Sequence, residues 1–218
     1  MAKSIYVGVD GKARKAKKAY VGVDNKARKV KKGYIGVNGV ARLFYSAETL
    51  VPFTSNPAPT TWTDSSDYKS ATATNDYGEW NVTAGTVTDN PNLYRASYAF
   101  DGDASSRYIA ASLSSSSAVT SININCPTGV SIKPTKISIT HRYCGNSTYP
   151  ALIQAYTGTK WVTLATMSMF SSVSTETFTI EGDSYYTRFR ITLYRYSSNS
   201  NTPYVYDFEI TSGTLKIE

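Results

Sequence analysis

The sequence predicts an all-β chain in two parts, a run of short β-hairpin repeats followed by a β-sandwich. Two observations carry this. The first 46 residues repeat with a period of 14 and place a turn-forming dipeptide in each copy. Beyond Thr49, short stretches of alternating apolar and polar residues recur between turn-rich segments, with hardly any helical periodicity.

The repeat aligns on its tyrosines: "YVGVDGKARKAKKA" from Tyr6, "YVGVDNKARKVKKG" from Tyr20 and "YIGVNGVARLFYSA" from Tyr34. A period this short cannot hold a helix pair. Asp10-Gly11, Asp24-Asn25 and Asn38-Gly39 tolerate positive φ and suit two-residue hairpin turns. With such a turn Val9 faces Lys12, Gly8 faces Ala13 and Val7 faces Arg14. One hairpin buries too little apolar surface to offset the entropy of ordering it, so each should fold against something. The third copy replaces the lysines of the first two with Val40, Leu43 and Tyr45 and is expected to pack on an apolar neighbour.

Charge divides the chain in the same place. Residues 1–46 hold 12 Lys/Arg against 2 Asp, a net +10, whereas residues 47–218 hold 11 against 14 acidic residues, a net −3. The cations predicted to meet a partner are Lys12, Arg14, Lys15, Lys17, Lys18, Lys26, Arg28, Lys29, Lys31 and Lys32. Nucleic acid is disfavoured, because the aromatics fall one per hairpin and form no stacking platform. A membrane is disfavoured too, because the Gly and Ala face of the hairpin is not an apolar face. An acidic protein surface, met by strand addition and charge complementarity, is the expected partner.

The repeats, with their "KKGYIGVNGVARLFYS" ending, resemble N-terminal segments of structural proteins from tailed bacteriophages and prophages of Gram-positive bacteria. There such a segment precedes unrelated C-terminal domains. The resemblance implies a docking element on the virion, and so a virion protein assembled in the host cytoplasm; with the charge of the segment, the expected partner is an acidic virion surface. No run of about 18 apolar residues is present, and the N-terminus has no apolar core of a secretory signal, so neither membrane insertion nor export by that route is expected. Cys126 and Cys144 fit no zinc spacing; they could pair or stay reduced, and reduced, buried thiols suit a protein assembled in a cytoplasm.

Residues 47–218 should form the sandwich. Strand-like alternation appears in "AVTSININC" (118–126), "TKISITHRY" (135–143), "ALIQAYTG" (151–158), "KWVTLATM" (160–167), "TETFTIEG" (175–182), "YTRFRITLYRY" (186–196) and "YVYDFEIT" (204–211). In the sixth stretch Phe189, Ile191 and Leu193 share one face, expected in the core, and Arg188, Arg190 and Thr192 the other.

Several stretches together resemble the discoidin, or coagulation-factor type C, family of galactose-binding-like jelly rolls. They are "VPFTSNPAP" (51–59), "ASYAFDGDASSRY" (96–108), "IQAYTGTKWVTLA" (153–165), "YYTRFRITL" (185–193) and "YVYDFEITSG" (204–213). Tyr108, Ser106 and Thr157-Gly158 depart from the family's usual Trp, Thr and Asp-Gly. The resemblance implies a jelly-roll β-sandwich that binds sugars, lipids or proteins through loops at one end. It also implies a structural calcium held by Asp101, Asp103, Ser106 and Asp207, all oxygen donors of the kind calcium takes. The other reading of Asp101-Gly102 is a plain turn held by the carboxylate.

For a sugar, "THRYCGNSTYP" (140–150) supplies Arg142, Asn146 and Tyr149 after a strand: a guanidinium, an amide and an aromatic face. The alternative is a solvated arginine and a tyrosine packed on the next loop. His141, the only histidine, shares parity with Ile137 and Ile139 and is expected to be a satisfied, mostly buried imidazole. No Ser/His/Asp arrangement, Cys/His pair or metal-ligand cluster is visible, so the expected function is non-enzymatic.

The expected protein is a virion component whose arm docks on the particle and whose sandwich binds host-surface or environmental glycans, in tail adsorption or capsid decoration. Two other classes stay open: a decoration or cement protein without glycan affinity, and a bacterial carbohydrate-binding module. A homo-oligomer is compatible with each.

Overall fold

The computed structural model describes residues 6–9, 12–15, 19–23, 26–30, 32–37, 40–46, 48–85, 95–110, 113, 115, 117–196 and 202–218. It is all-β, hairpin repeats followed by a sandwich, and it divides into two compact units, Met1–Leu50 with Ile217–Glu218 and Val51–Lys216.

The first unit holds three antiparallel hairpins: β1 (Tyr6–Val9) with β2 (Lys12–Lys15), β3 (Tyr20–Val23) with β4 (Lys26–Lys29), and β5 (Lys32–Val37) with β6 (Val40–Ser46). In the first, Val9 pairs with Lys12, Gly8 with Ala13 and Val7 with Arg14, the register a two-residue turn requires. The second repeats it from Val23 and Lys26. The third is longer, and its register shifts between Gly33 and Tyr34. The expected apolar packing of Val40, Leu43 and Tyr45 falls on side chains outside the described ones.

The remaining strands are β7 (Thr49–Phe53), β8 (Thr63–Asp64), β9 (Ser70–Asn75), β10 (Gly78–Ala84), β11 (Tyr108–Ile109), β12 (Val119–Asn125), β13 (Val130–Arg142), β14 (Leu152–Tyr156), β15 (Trp161–Thr166), β16 (Ser174–Thr179), β17 (Arg188–Tyr194) and β18 (Tyr204–Ile217). A seven-stranded sheet runs β15-β14-β17-β12-β10-β9-β8, with every pairing antiparallel. A five-stranded sheet runs β11-β18-β13-β16, with β7 also on β18.

The core lies between these sheets. Trp80, Val82, Ile122, Ile153, Phe189, Ile191 and Leu193 come from the larger sheet and Ile132, Ile137, Ile139, Val205, Phe208 and Leu215 from the smaller. Phe189, Ile191 and Leu193 are buried as their parity predicts. The buried Trp80 indole donates to Asn75 Oδ1 (3.1 Å), and Asn75 Nδ2 donates to the Pro57 carbonyl (2.9 Å), so this large side chain enters the core without an unpaired N–H. No helix among the described residues is long and apolar enough to cross a membrane.

Candidate functional site

The end of β13 and the loop after it have an unusual backbone. Tyr143 adopts φ +56°, a left-handed conformation that costs a non-glycine residue energy. Two residues on, Gly145 sits at φ +74°, and a Cβ there would lie 2.4 Å from the Ala151 nitrogen, so no larger residue fits. The Gly145 N–H donates to the Tyr194 carbonyl at 2.9 Å, which ties the loop to the end of β17.

Asn146 locks the loop. Its Oδ1 accepts from the backbone N–H groups of Thr148 (3.0 Å) and Tyr149 (2.9 Å), and its Nδ2 donates to the Arg195 carbonyl (2.8 Å). The side chain expected to touch a sugar is thus engaged in holding the loop. Tyr149, which that loop presents, is 37% exposed and stacks on Tyr194, with centroids 5.5 Å apart and planes 25° apart.

Arg142 turns elsewhere. Its Nε donates to the Ser171 carbonyl (3.0 Å), its Nη2 bonds the Tyr143 hydroxyl, and its guanidinium lies 4.1 Å from the Tyr143 ring centroid. Tyr143 in turn meets Tyr196 (5.1 Å) and Tyr204 (5.9 Å). Asn146 and Tyr149 therefore share one loop, while Arg142 belongs to an aromatic cluster beside it.

Tyr194 also lines an open recess of about 460 Å³ with Gly85, Val119, Thr120, Ser121, Arg190 and Thr192. Gln154 Oε1 accepts from Arg190 Nε (2.7 Å) and from Thr192 Oγ1 (2.9 Å), so the polar wall of the recess is held in place. Tyr149, Tyr194, Thr192 and Ser121 bring an aromatic plane together with hydroxyls. Of these, only Tyr149 is among the sugar-site residues expected from the sequence. Tyr194 continues the outward set of Arg188, Arg190 and Thr192 on its strand, and that parity was the available signal.

The expected calcium ligands are partly gathered. Asp101 Oδ2 accepts from Ser106 Oγ (2.7 Å), and Asp207 takes a hydrogen bond from the Gly102 backbone. Asp207 Oδ1 is buried without a hydrogen-bond partner. Burial first, then repulsion from Glu209 and Asp101, pushes the Asp207 carboxyl up to about 6; burial likewise pushes Asp101 up. An orphaned carboxylate oxygen beside a second carboxylate and a hydroxyl is a donor set that suits calcium. At Asp103, Oδ1 accepts from the Ser105 hydroxyl (2.6 Å) and N–H (2.8 Å), and the backbone carbonyl accepts from Ser106 Oγ (2.9 Å). Among the described residues no three His, Cys, Asp or Glu side chains gather as a metal cluster. Asp101, Ser106 and Asp207 are oxygen donors of the kind the ion takes.

His141 is fully buried, as its parity predicts, with Nε2 2.8 Å from Glu176 Oε2 and its ring 5.2 Å from that of Phe170. It is not satisfied on both sides, since Nδ1 has no partner. Burial holds its pKa below the ordinary value, against the opposing pull of Glu176. Cys126 and Cys144 are free thiols, both pushed up to about 12 by burial.

In the hairpins, Lys12, Arg14 and Lys15 lie on β2, Lys26, Arg28 and Lys29 on β4, and Lys32 on β5. Lys26 and Arg28 are exposed, and Lys32 Nζ lies 3.7 Å from Glu48. Lys17, Lys18 and Lys31 lie outside the described residues.

No protein-family model matches the sequence, and no curated protein matches it. Among solved structures the chain is similar to chitosan-binding module 1 derived from a chitosanase/glucanase of Paenibacillus sp. IK-5, with 20% identity, 59% of this chain and 91% of that chain covered, and a TM-score of 0.46. It is also similar to the family 32 CBM of C. perfringens NanJ in complex with galactose, with 17% identity, 62% and 93% covered, and a TM-score of 0.46. A third is an F5/8 type C domain from Bacteroides fragilis, with 19% identity, 62% and 90% covered, and a TM-score of 0.45.

Proposed function

We propose that this chain is a non-enzymatic glycan-binding protein of a tailed-phage particle, with the sugar held at the recess beside Tyr149 and Tyr194. The observation that carries the sugar site is the exposed Tyr149 ring, stacked on Tyr194 at the edge of a recess walled by Thr192, Ser121 and Arg190. A pyranose offers an apolar face for an aromatic plane and hydroxyls for directed donors and acceptors, and this recess offers both. Asn146 and Gly145 fix the loop beforehand, which lowers the ordering cost of binding. The similar solved structures include modules named for chitosan and holding galactose, at a likeness too low to carry a ligand across.

The arm is the anchor in this reading. Its support is the resemblance of the repeats to phage docking segments and the +10 charge of residues 1–46, which suits an acidic virion surface. Calcium at Asp101, Ser106 and Asp207 would brace the turn at Gly102 against β18. The test of the sugar site is a screen of the full chain, wild type and Tyr149→Ala, on arrayed bacterial wall glycans. A glycan retained by wild type and lost by the variant supports the reading; no glycan retained by either overturns it.

A further inference from the structure

On the outer face of the seven-stranded sheet two arginines lie over two aromatic rings. The Arg188 guanidinium is 3.9 Å from the Tyr156 centroid and 5.9 Å from that of Trp161; the Arg190 guanidinium is 4.3 Å from Trp161. They are two residues apart on β17 and so project from the same face. We propose that Arg188 and Arg190 form a subsite for the carboxylate or phosphate groups of an acidic polysaccharide.

Three features support this. First, neither guanidinium has a carboxylate partner among the described residues, whereas Lys32, Arg95 and Lys133 pair with Glu48, Asp64 and Asp183. The residues across the ladder are neutral amides: Asn125 opposite Arg188, and Asn123 and Gln154 opposite Arg190. Two adjacent like charges without a counter-charge repel each other, and a bound anion would turn that cost into attraction. Second, the groups are set in advance. The ring contacts hold the guanidinium groups in place, and the Arg190 Nε bond to Gln154 leaves its terminal N–H groups for an oxyanion. Burial also disfavours the Arg190 charge, so a bound anion gains more there than on an open surface.

Third, Arg190 lines the same recess as Tyr194, four residues and about 13 Å along the strand, within reach of one oligosaccharide. The proposal rests on the sugar reading in this respect: it names the class of glycan that would run from Tyr149 along β17. Residues 47–218 carry a net −3, so an indiscriminate polyanion is not drawn to the sandwich as a whole. This favours a sugar polymer with spaced charges over a nucleic acid.

The test compares the full chain with Arg188→Gln/Arg190→Gln on immobilised polygalacturonate, poly(glycerol phosphate), neutral dextran and single-stranded DNA at about 0.15 M salt. The basic arm is identical in both proteins, so their difference reads the sheet face. The expected result is about tenfold or more weaker binding of the variant to one acidic polymer, a loss larger than any on dextran or DNA, with an unchanged far-UV spectrum. Loss on polygalacturonate identifies a carboxylate ligand and loss on poly(glycerol phosphate) a phosphate ligand. Equal binding of both acidic polymers by variant and wild type, or a loss greatest on DNA, overturns the proposal. Tyr149→Ala separates the two readings. If it loses binding while the arginine variant does not, the sugar site stands and this subsite falls; the reverse pattern supports the arginine subsite and removes the sugar from Tyr149.

Discussion

The Tyr149 ring stacks on Tyr194 with centroids 5.5 Å and planes 25° apart, and it joins a loop to a strand end 45 positions further along the chain. Tyr194 lines the recess and Tyr149 stacks on Tyr194, so each should contribute to binding in its own way. Tyr149→Ala removes the exposed stacking plane and should weaken sugar binding by about tenfold, while the lost ring pair costs about 0.5–1.5 kcal/mol of stability. Tyr149→Phe keeps the plane and should bind nearly as wild type. Titration of both variants with a bound glycan checks this, and equal loss in Tyr149→Phe would point to the hydroxyl instead.

Asn146→Ala should loosen the loop more than its half-exposed position suggests. It removes the acceptor for two backbone N–H groups and the donor to the Arg195 carbonyl. The expected loss is about 1–3 kcal/mol, with weaker glycan binding caused by disorder of Tyr149. Denaturant melts and hydrogen exchange across 143–150 read the two effects separately.

Asp207 should make stability depend on pH and calcium. Its folded pKa, about 6, lies above the ordinary 3.8, so the folded state holds the proton more tightly. Without metal, stability therefore falls as pH rises from about 4 through about 6. Calcium should raise Tm at pH 7.5 and much less at pH 4.5. Asp207→Asn should flatten the metal-free profile and abolish the calcium response. A calcium response that survives in Asp207→Asn would place the ion elsewhere.

If the arm is the proposed virion anchor, neutralising Lys15, Lys17, Lys18, Lys29, Lys31 and Lys32 should weaken incorporation into particles and increase its sensitivity to salt, while leaving the sandwich folded. Incorporation is read by sedimenting particles at about 0.15 M salt, near a Debye length of 8 Å. Normal incorporation would rule out charge as the main anchor.

Much of the fold is legible because one face of the central strands, such as β12, β13 and β17, is apolar. The alternation of Phe189, Ile191 and Leu193 placed them in the core, and the Asp10-Gly11 dipeptide gave the Val9–Lys12 register. Strands β9 and β10 were not read. Their inward residues include Ala71 and Ala73, which contrast weakly with the threonines beside them, and only Trp80 and Val82 are large. The loop carrying Tyr149 was legible from its residue types. The role of Asn146 was not, because its partner at Arg195 is 49 residues away. Parity places Arg188, Arg190 and Tyr194 on the outward face, but an outward set on a strand reads as solvated until the tertiary fold sets a loop and two rings against it.

The most direct measurement is hydrogen–deuterium exchange of the full chain with and without the glycan found by screening. Slowed exchange confined to 143–150 and 188–194 is the predicted result. Protection centred on 101–107, or spread over the basic hairpins with none at β17, would contradict a sugar site at Tyr149 and Tyr194.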